Sequence, residues 1–233
     1  MNNFAVLQAL AFEPRRAFTE LDQRPRFLWP FLLVALSLVV INVWYTAVVD
    51  LEWLTDLQLR SSALTRNLTS AEIERLAARA AETRGVSMVT GAIGTVLVLA
   101  IIILLSGLYY LVAGKITGVD RSYRHWLAMT AWTTTPTLIV ALASAVVLLT
   151  ASSNQISQGD LQPLSLNALL LHREAGEPGY ALFTSINLPQ FLSLFLAVFG
   201  VRVWSGRSWV FSTIFAALPF VLVYGIWAFF ALR

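Results

Sequence analysis

Five stretches of this chain run for about 20 residues or more almost without charge: Phe27 to Val49, Ser87 to Ala113, Trp126 to Thr150, Phe183 to Trp204 and Trp209 to Leu232. A helix rises about 1.5 Å per residue, so each run matches a hydrocarbon layer about 30 Å thick. No water reaches that layer, so backbone amides and carbonyls must pair within the segment. Barrel strands are about 10 residues long and alternate with period two, so these runs predict helices instead. The expected fold is an all-α polytopic membrane protein, a bundle of five transmembrane helices. Composition agrees: 12% of residues are charged, against about a quarter in a soluble domain. The first run exceeds the roughly 7–15 apolar residues of a signal-peptide core and no small-x-small cleavage site follows it, so it reads as a retained span. Trp29, Trp53, Trp126, Trp204, Trp209 and Trp227 lie at or near span ends, where an amphipathic ring suits the headgroup layer.

Arginine and lysine in the flanks set an expected orientation. Arg15, Arg16, Arg24 and Arg26 precede the first span; Lys115, Arg121 and Arg124 lie between the second and third; Arg202 and Arg207 lie at the last turn. With five spans these segments share a side, and the positive-inside rule makes it cytoplasmic. The N-terminus is then cytoplasmic, the C-terminus extracytoplasmic, and loops 50–86 and 151–182 are extracytoplasmic. In the first of these loops Asp50, Glu52, Asp56, Glu72, Glu74 and Glu82 offset its arginines. Residues 1–26 form a cytoplasmic amphipathic lead-in, with Pro14 suited to a first helical turn and Phe18 and Leu21 on one face. That face is expected to pack on the chain's own bundle rather than to dock a partner. Within loop 50–86, Thr69-Ser70-Ala71-Glu72 is a capping-box pattern opening a surface helix, with Gly85 as its expected C-cap. Asn67-Leu68-Thr69 matches a glycosylation triplet, which matters only in a eukaryotic lumen. Leu164, Leu166, Leu169, Leu170 and Leu171 could form a short interfacial helix.

The chemical inventory is sparse. There is no cysteine, glycine-rich phosphate loop, H-E-x-x-H or G-x-S-x-G. His125 and His172 fall on opposite sides of the expected bundle, so they cannot share a metal, and His125 reads as a solvated flank residue. The net charge of +3 comes without a long basic block, which argues against nucleic acid as a partner. The expectation is a protein without enzymatic activity, cofactor or metal. Its partners would be membrane lipids and a membrane protein or a second copy of itself. Inside the spans the informative residues are Asn42, Thr133, Thr134, Thr135, Pro136, Asn187, Pro189 and Gln190. They read either as a polar intramembrane cleft or as kinks whose polar groups bond between and within helices. Pro136 denies an amide to the carbonyl of Trp132, so a bend is expected there, with threonine hydroxyls near the freed carbonyl.

The lead-in Phe12-Glu13-Pro14-Arg15-Arg16-Ala17-Phe18, continuing to Arg24-Pro25, resembles the Pro-x-x-Ala-Phe start of bacterial Yip-domain proteins. The stretch Gly107 to Gly118 followed by a span containing Pro136 is similar to their central pattern. The last two spans, joined by Ser205-Gly206-Arg207-Ser208, resemble their C-terminal hairpin. The resemblance implies five spans with a cytoplasmic N-terminus. In eukaryotes the family comprises Ypt/Rab-interacting adaptors of vesicle traffic, but the Asp-Leu-Tyr-Gly-Pro motif of those members is absent here. The implied role is a non-enzymatic scaffold, adaptor or accessory subunit in a bacterial inner membrane. The alternative is a transport component, acting alone or beside an ABC-type efflux system.

Overall fold

The computed structural model describes residues 1–62, 65 and 67–232. Its helices are α1 (Asn3–Phe12), α2 (Pro14–Gln23), α3 (Leu28–Val48), α4 (Leu51–Ser61), α5 (Ser70–Glu82), α6 (Arg84–Thr117), α7 (Tyr123–Thr133), α8 (Thr137–Thr150), α9 (Tyr180–Ser185), α10 (Leu188–Ser205) and α11 (Trp209–Ala231). Among the described residues, five helical stretches are long and apolar enough to cross a membrane: α3, α6, α7 with α8, α10 and α11. The fold is all-helical. The fourth stretch starts at Leu188 rather than near Phe183, because α9 is a separate short helix. Pro189 explains the break: it has no amide to donate to Ser185, yet it sits comfortably in the first turn of α10. The chain extends between the two helices, where Leu188 N–H bonds the Leu164 carbonyl and the Ile186 carbonyl accepts from Leu166.

The chain divides into two compact units. The first comprises Met1–Leu36, Leu97–Leu138 and Pro189–Ile226. Its core is aromatic, built on the fully buried Phe18, Trp126 and Trp132 with Tyr110, Trp204 and Phe215 around them. The Tyr110 and Phe215 rings stack at 5.8 Å, and Trp126 lies 5.5 Å from Trp204 and 5.7 Å from Phe215. Here α2 takes up the predicted amphipathic role. Pro14 opens it, and Ala17, Phe18 and Leu21 are buried while Arg15, Arg16 and Thr19 face out. Burying the two large side chains stabilises the docked state by about 1.5–3 kcal/mol each. Gly200 on α10 makes the contact possible, since a Cβ there would meet Phe18 Cε1 at 2.6 Å.

The second unit comprises Ser37–Val96, Ile139–Leu188 and Trp227–Arg233. Its small core gathers Tyr45, Val49, Leu51, Leu54, Ile156 and Leu161. Tyr45 Oη donates to the Ile156 carbonyl at 2.8 Å, and Asp50 N–H to the Asn154 carbonyl at 2.9 Å. The capping box at Thr69 and Glu72 forms in both directions. Gly85, however, is not the C-cap. α5 ends at Thr83, whose hydroxyl donates to the Arg79 carbonyl, and Gly85 lies in the first turn of α6. Arg84 then donates to the carbonyls of Thr46, Ala47 and Val49, closing the C-terminus of α3 with a cation where the helix dipole favours one. The leucine-rich stretch forms a short helix, one π-helical turn over Asn167–Leu171 that leaves Leu164 outside. His172 ends it in the left-handed region (φ 53°), and Asn167 holds Arg173 through both backbone groups.

Candidate functional site

The first unit concentrates polar chemistry where α2 ends. Side chains from α7 and α10 bond backbone carbonyls of α2 and of the segment that follows it, and Arg121 of the α6–α7 loop bonds an α2 carboxylate. Trp204 Nε1 donates to Phe18 O at 2.8 Å, His125 Nε2 lies 3.1 Å from Asp22 O, Arg124 Nε reaches Pro25 O, and Trp132 Nε1 donates to Arg26 O at 2.7 Å. Arg121 grips the Asp22 carboxylate with two nitrogens, at 2.6 and 3.0 Å, and also reaches the Trp204 carbonyl. His125 is therefore a clasp rather than a solvated flank residue. Its Nδ1 meets Ser122 Oγ at 2.7 Å and its ring stands edge-on to Trp204. In the same C-terminal half of α2, Glu20 accepts from the Met1 ammonium at 2.8 Å and from Arg26 at 3.2 Å. The bond from the ammonium holds the Glu20 carboxyl below the usual glutamate range, with Arg26 and Arg24 adding to the effect.

Thr133, Thr134, Thr135 and Pro136 also lie in the first unit, at the interruption between α7 and α8. Thr135 Oγ1 donates to the Trp132 carbonyl at 2.7 Å, the group that Pro136 cannot satisfy. Thr133 and Thr134 donate to the Thr130 carbonyl. The three hydroxyls thus serve their own helix backbone. Pro189 is buried, and Gln190 Nε2 donates to Tyr224 Oη at 2.8 Å. Asn42 and Asn187 lie in the second unit. Asn42 packs its amide against Gly91, and its Oδ1 is buried without a hydrogen bond among the described residues. Asn187 pairs with Ser165 in an isolated antiparallel bridge.

Sequence reading missed the partners of Pro219 in α11. That proline leaves the Phe215 carbonyl without an amide, and Tyr109 of α6 donates its hydroxyl there at 2.8 Å. Tyr110 donates to the next carbonyl, Ala216, at 3.2 Å. The signal was a pair of tyrosines deep in an apolar run, each needing an acceptor. It also missed Phe199, which with Met1, Glu13, Arg15, Arg16, Thr19 and Gln23 lines an open cleft of about 660 Å³ beside α2. Among the described residues no cluster of His, Cys, Asp and Glu could hold a metal.

Compared with known protein families, residues 7–230 match the Yip1 domain. The chain belongs to the Yip1 domain family. The match covers the docked α2, the interrupted α7–α8 stretch and the α10–α11 hairpin, so Yip1 membership extends over both units. No curated protein and no solved structure matches the chain. It is a multi-pass Yip1 family membrane protein.

Proposed function

We propose that this protein is a non-enzymatic membrane scaffold, adaptor or accessory subunit that acts through protein and lipid contacts. The observation that carries the reading is how the polar side chains of the apolar stretches are used. Thr133, Thr134 and Thr135 bond carbonyls of their own helix, and Tyr109 and Tyr110 bond carbonyls of α11. A solute path needs polar groups that face the solute, whereas these shape and fasten helices. The proposed setting is a bacterial inner membrane with the N-terminus in the cytoplasm. Supporting it, the three segments of the first unit carry nine Lys/Arg against four Asp/Glu, while those of the second carry seven against nine.

Purification in a mild detergent followed by mass spectrometry tests the role, alongside solute flux in liposomes containing the protein alone. A membrane-protein partner retained in stoichiometric amount is the expected outcome. Solute movement by the isolated protein would overturn the scaffold reading. One observation favours the transport alternative: the unbonded Asn42 Oδ1 within an apolar helix. Asn42→Leu separates the two readings. A structural asparagine gives unchanged or higher thermal stability with the cellular phenotype intact, and a transport residue gives retained stability with the phenotype lost.

A further inference from the structure

The cleft beside α2 has two chemically different kinds of lining. From α2 come Arg15 and Arg16, both exposed, with Thr19 and Gln23. From α10 comes Phe199. Its ring contacts Phe195 at 6.1 Å, and Phe195 is 51% exposed although it lies within an apolar stretch. Leu192 continues the same helical face, seven residues before Phe199, and is also exposed. Phe199 further touches the Trp209 ring at 5.8 Å, and the Arg202 guanidinium lies 4.4 Å from the centroid of that ring. The arginines thus share a cleft with the start of an aromatic and aliphatic track about two turns long on α10.

The acidic groups of the cleft are already engaged. Glu20 is held by the Met1 ammonium and Arg26. Glu13 meets Arg16 at 3.1 Å in an ion pair whose partners are 59% and 65% exposed. Such a pair holds little energy and can be exchanged for another anion. Arg15 has no acidic partner at salt-bridge distance among the described residues. On α1, Phe12 is 80% exposed and directly precedes the Glu13-Pro14-Arg15-Arg16 turn. A bare aromatic next to two arginines suits the headgroup layer, where rings and cations are both favoured.

We propose that this cleft binds an anionic phospholipid of the surrounding bilayer, with its phosphate at Arg15 and Arg16 and an acyl chain along Phe199, Phe195 and Leu192. Charge complementarity selects the anionic headgroup, and the continuous apolar track selects a tailed ligand over a free anion. The site goes beyond the scaffold reading and holds whichever partner the protein has.

The test uses the full chain purified in mild detergent, with retained lipid counted by native mass spectrometry and thermal unfolding followed in parallel. Phosphatidylglycerol should be retained in preference to phosphatidylcholine. Arg15→Gln with Arg16→Gln should weaken phosphatidylglycerol retention about thirtyfold, with unchanged unfolding in phosphatidylcholine. Arg75→Gln with Arg79→Gln, on the exposed face of α5, should leave retention as in the parent. Three results would each overturn the site. They are wild-type retention in the Arg15/Arg16 variant, equal losses in both variants, and competition by glycerol 3-phosphate at the concentration at which the lipid itself binds. A fall in unfolding temperature of the Arg15/Arg16 variant in phosphatidylcholine would likewise overturn it, because the arginines would then be acting in the fold.

Discussion

A proline inside an apolar helix leaves a carbonyl unpaired where no water can reach it, and this chain answers twice by different means. At Pro136 the donor is local, the Thr135 hydroxyl of the same turn. At Pro219 it comes from another helix, the Tyr109 hydroxyl of α6. The second arrangement predicts a coupling. Tyr109→Phe keeps the ring packing on Phe215 and removes one hydrogen bond, so it should destabilise by roughly 0.6–1.5 kcal/mol. In a Pro219→Ala background residue 219 supplies its own amide to Phe215, and the same Tyr109→Phe change should then cost close to nothing. Thermal or denaturant unfolding of the four proteins of that double-mutant cycle measures the difference. Equal costs in both backgrounds would show that the hydroxyl and the proline act independently. The first arrangement was legible in the sequence because proline and threonine are neighbours in the chain. The second was not, since residues 109 and 215 meet only after α6 and α11 pack.

The pairing of α2 with α10 rests on the absence of one Cβ. Gly200→Ala places a methyl 2.6 Å from a ring carbon of Phe18, which is fully buried. Phe18 must then shift or leave, at about 1–3 kcal/mol for overpacking. Hydrogen exchange should show faster opening of the α2 amides, with the α5 amides unchanged; parent-like protection of α2 would contradict the packing argument. The same element should be acid-sensitive. Glu20 is held below the ordinary glutamate range by the Met1 ammonium and Arg26, so its contribution to docking is full above the unfolded-state value. It is lost as pH falls through the folded-state value, which lies below the unfolded one. Exchange at the α2 amides should accelerate in that window, after correction for intrinsic rates, and Glu20→Gln should flatten the change. The existence of α2 and its apolar face were legible from Pro14, Phe18 and Leu21. Its fastening was not, because Trp204, His125, Arg124 and Trp132 bond backbone carbonyls, and a carbonyl acceptor leaves no trace in residue identity.

At the scale of the whole chain, the long apolar runs made the five candidate spans readable, since nothing but burial in lipid or protein accommodates them. The runs were less informative about where helices stop. Phe183 is as apolar as Phe191, yet the helix begins only at Leu188, because Pro189 and the backbone bonds to Leu164 and Leu166 decide it. Charge is the remaining large-scale signal, and it has a consequence for orientation. In the first unit, contacts join the N-terminal segment, the α6–α7 loop and the end of α10: Arg121 bonds Asp22 and the Trp204 carbonyl, and Arg207 bonds the Thr117 carbonyl. Segments that touch one another lie on one side of a membrane, so their basic excess acts together rather than loop by loop. Alkaline phosphatase fused after Asp120 should therefore be inactive and green fluorescent protein at that site bright, while a phosphatase fusion at Gly159 in the second unit should be active. Removing charge supplies the causal arm. Replacing Arg15, Arg16, Arg24 and Lys115 by glutamine spares Arg26, Arg121, Arg124, Arg202 and Arg207, which bond other parts of the first unit, and breaks only the exposed Glu13–Arg16 pair. It should lower the activity ratio between the two phosphatase sites without loss of folded protein. An unchanged ratio would mean that hydrophobic insertion order, rather than basic charge, orients this chain.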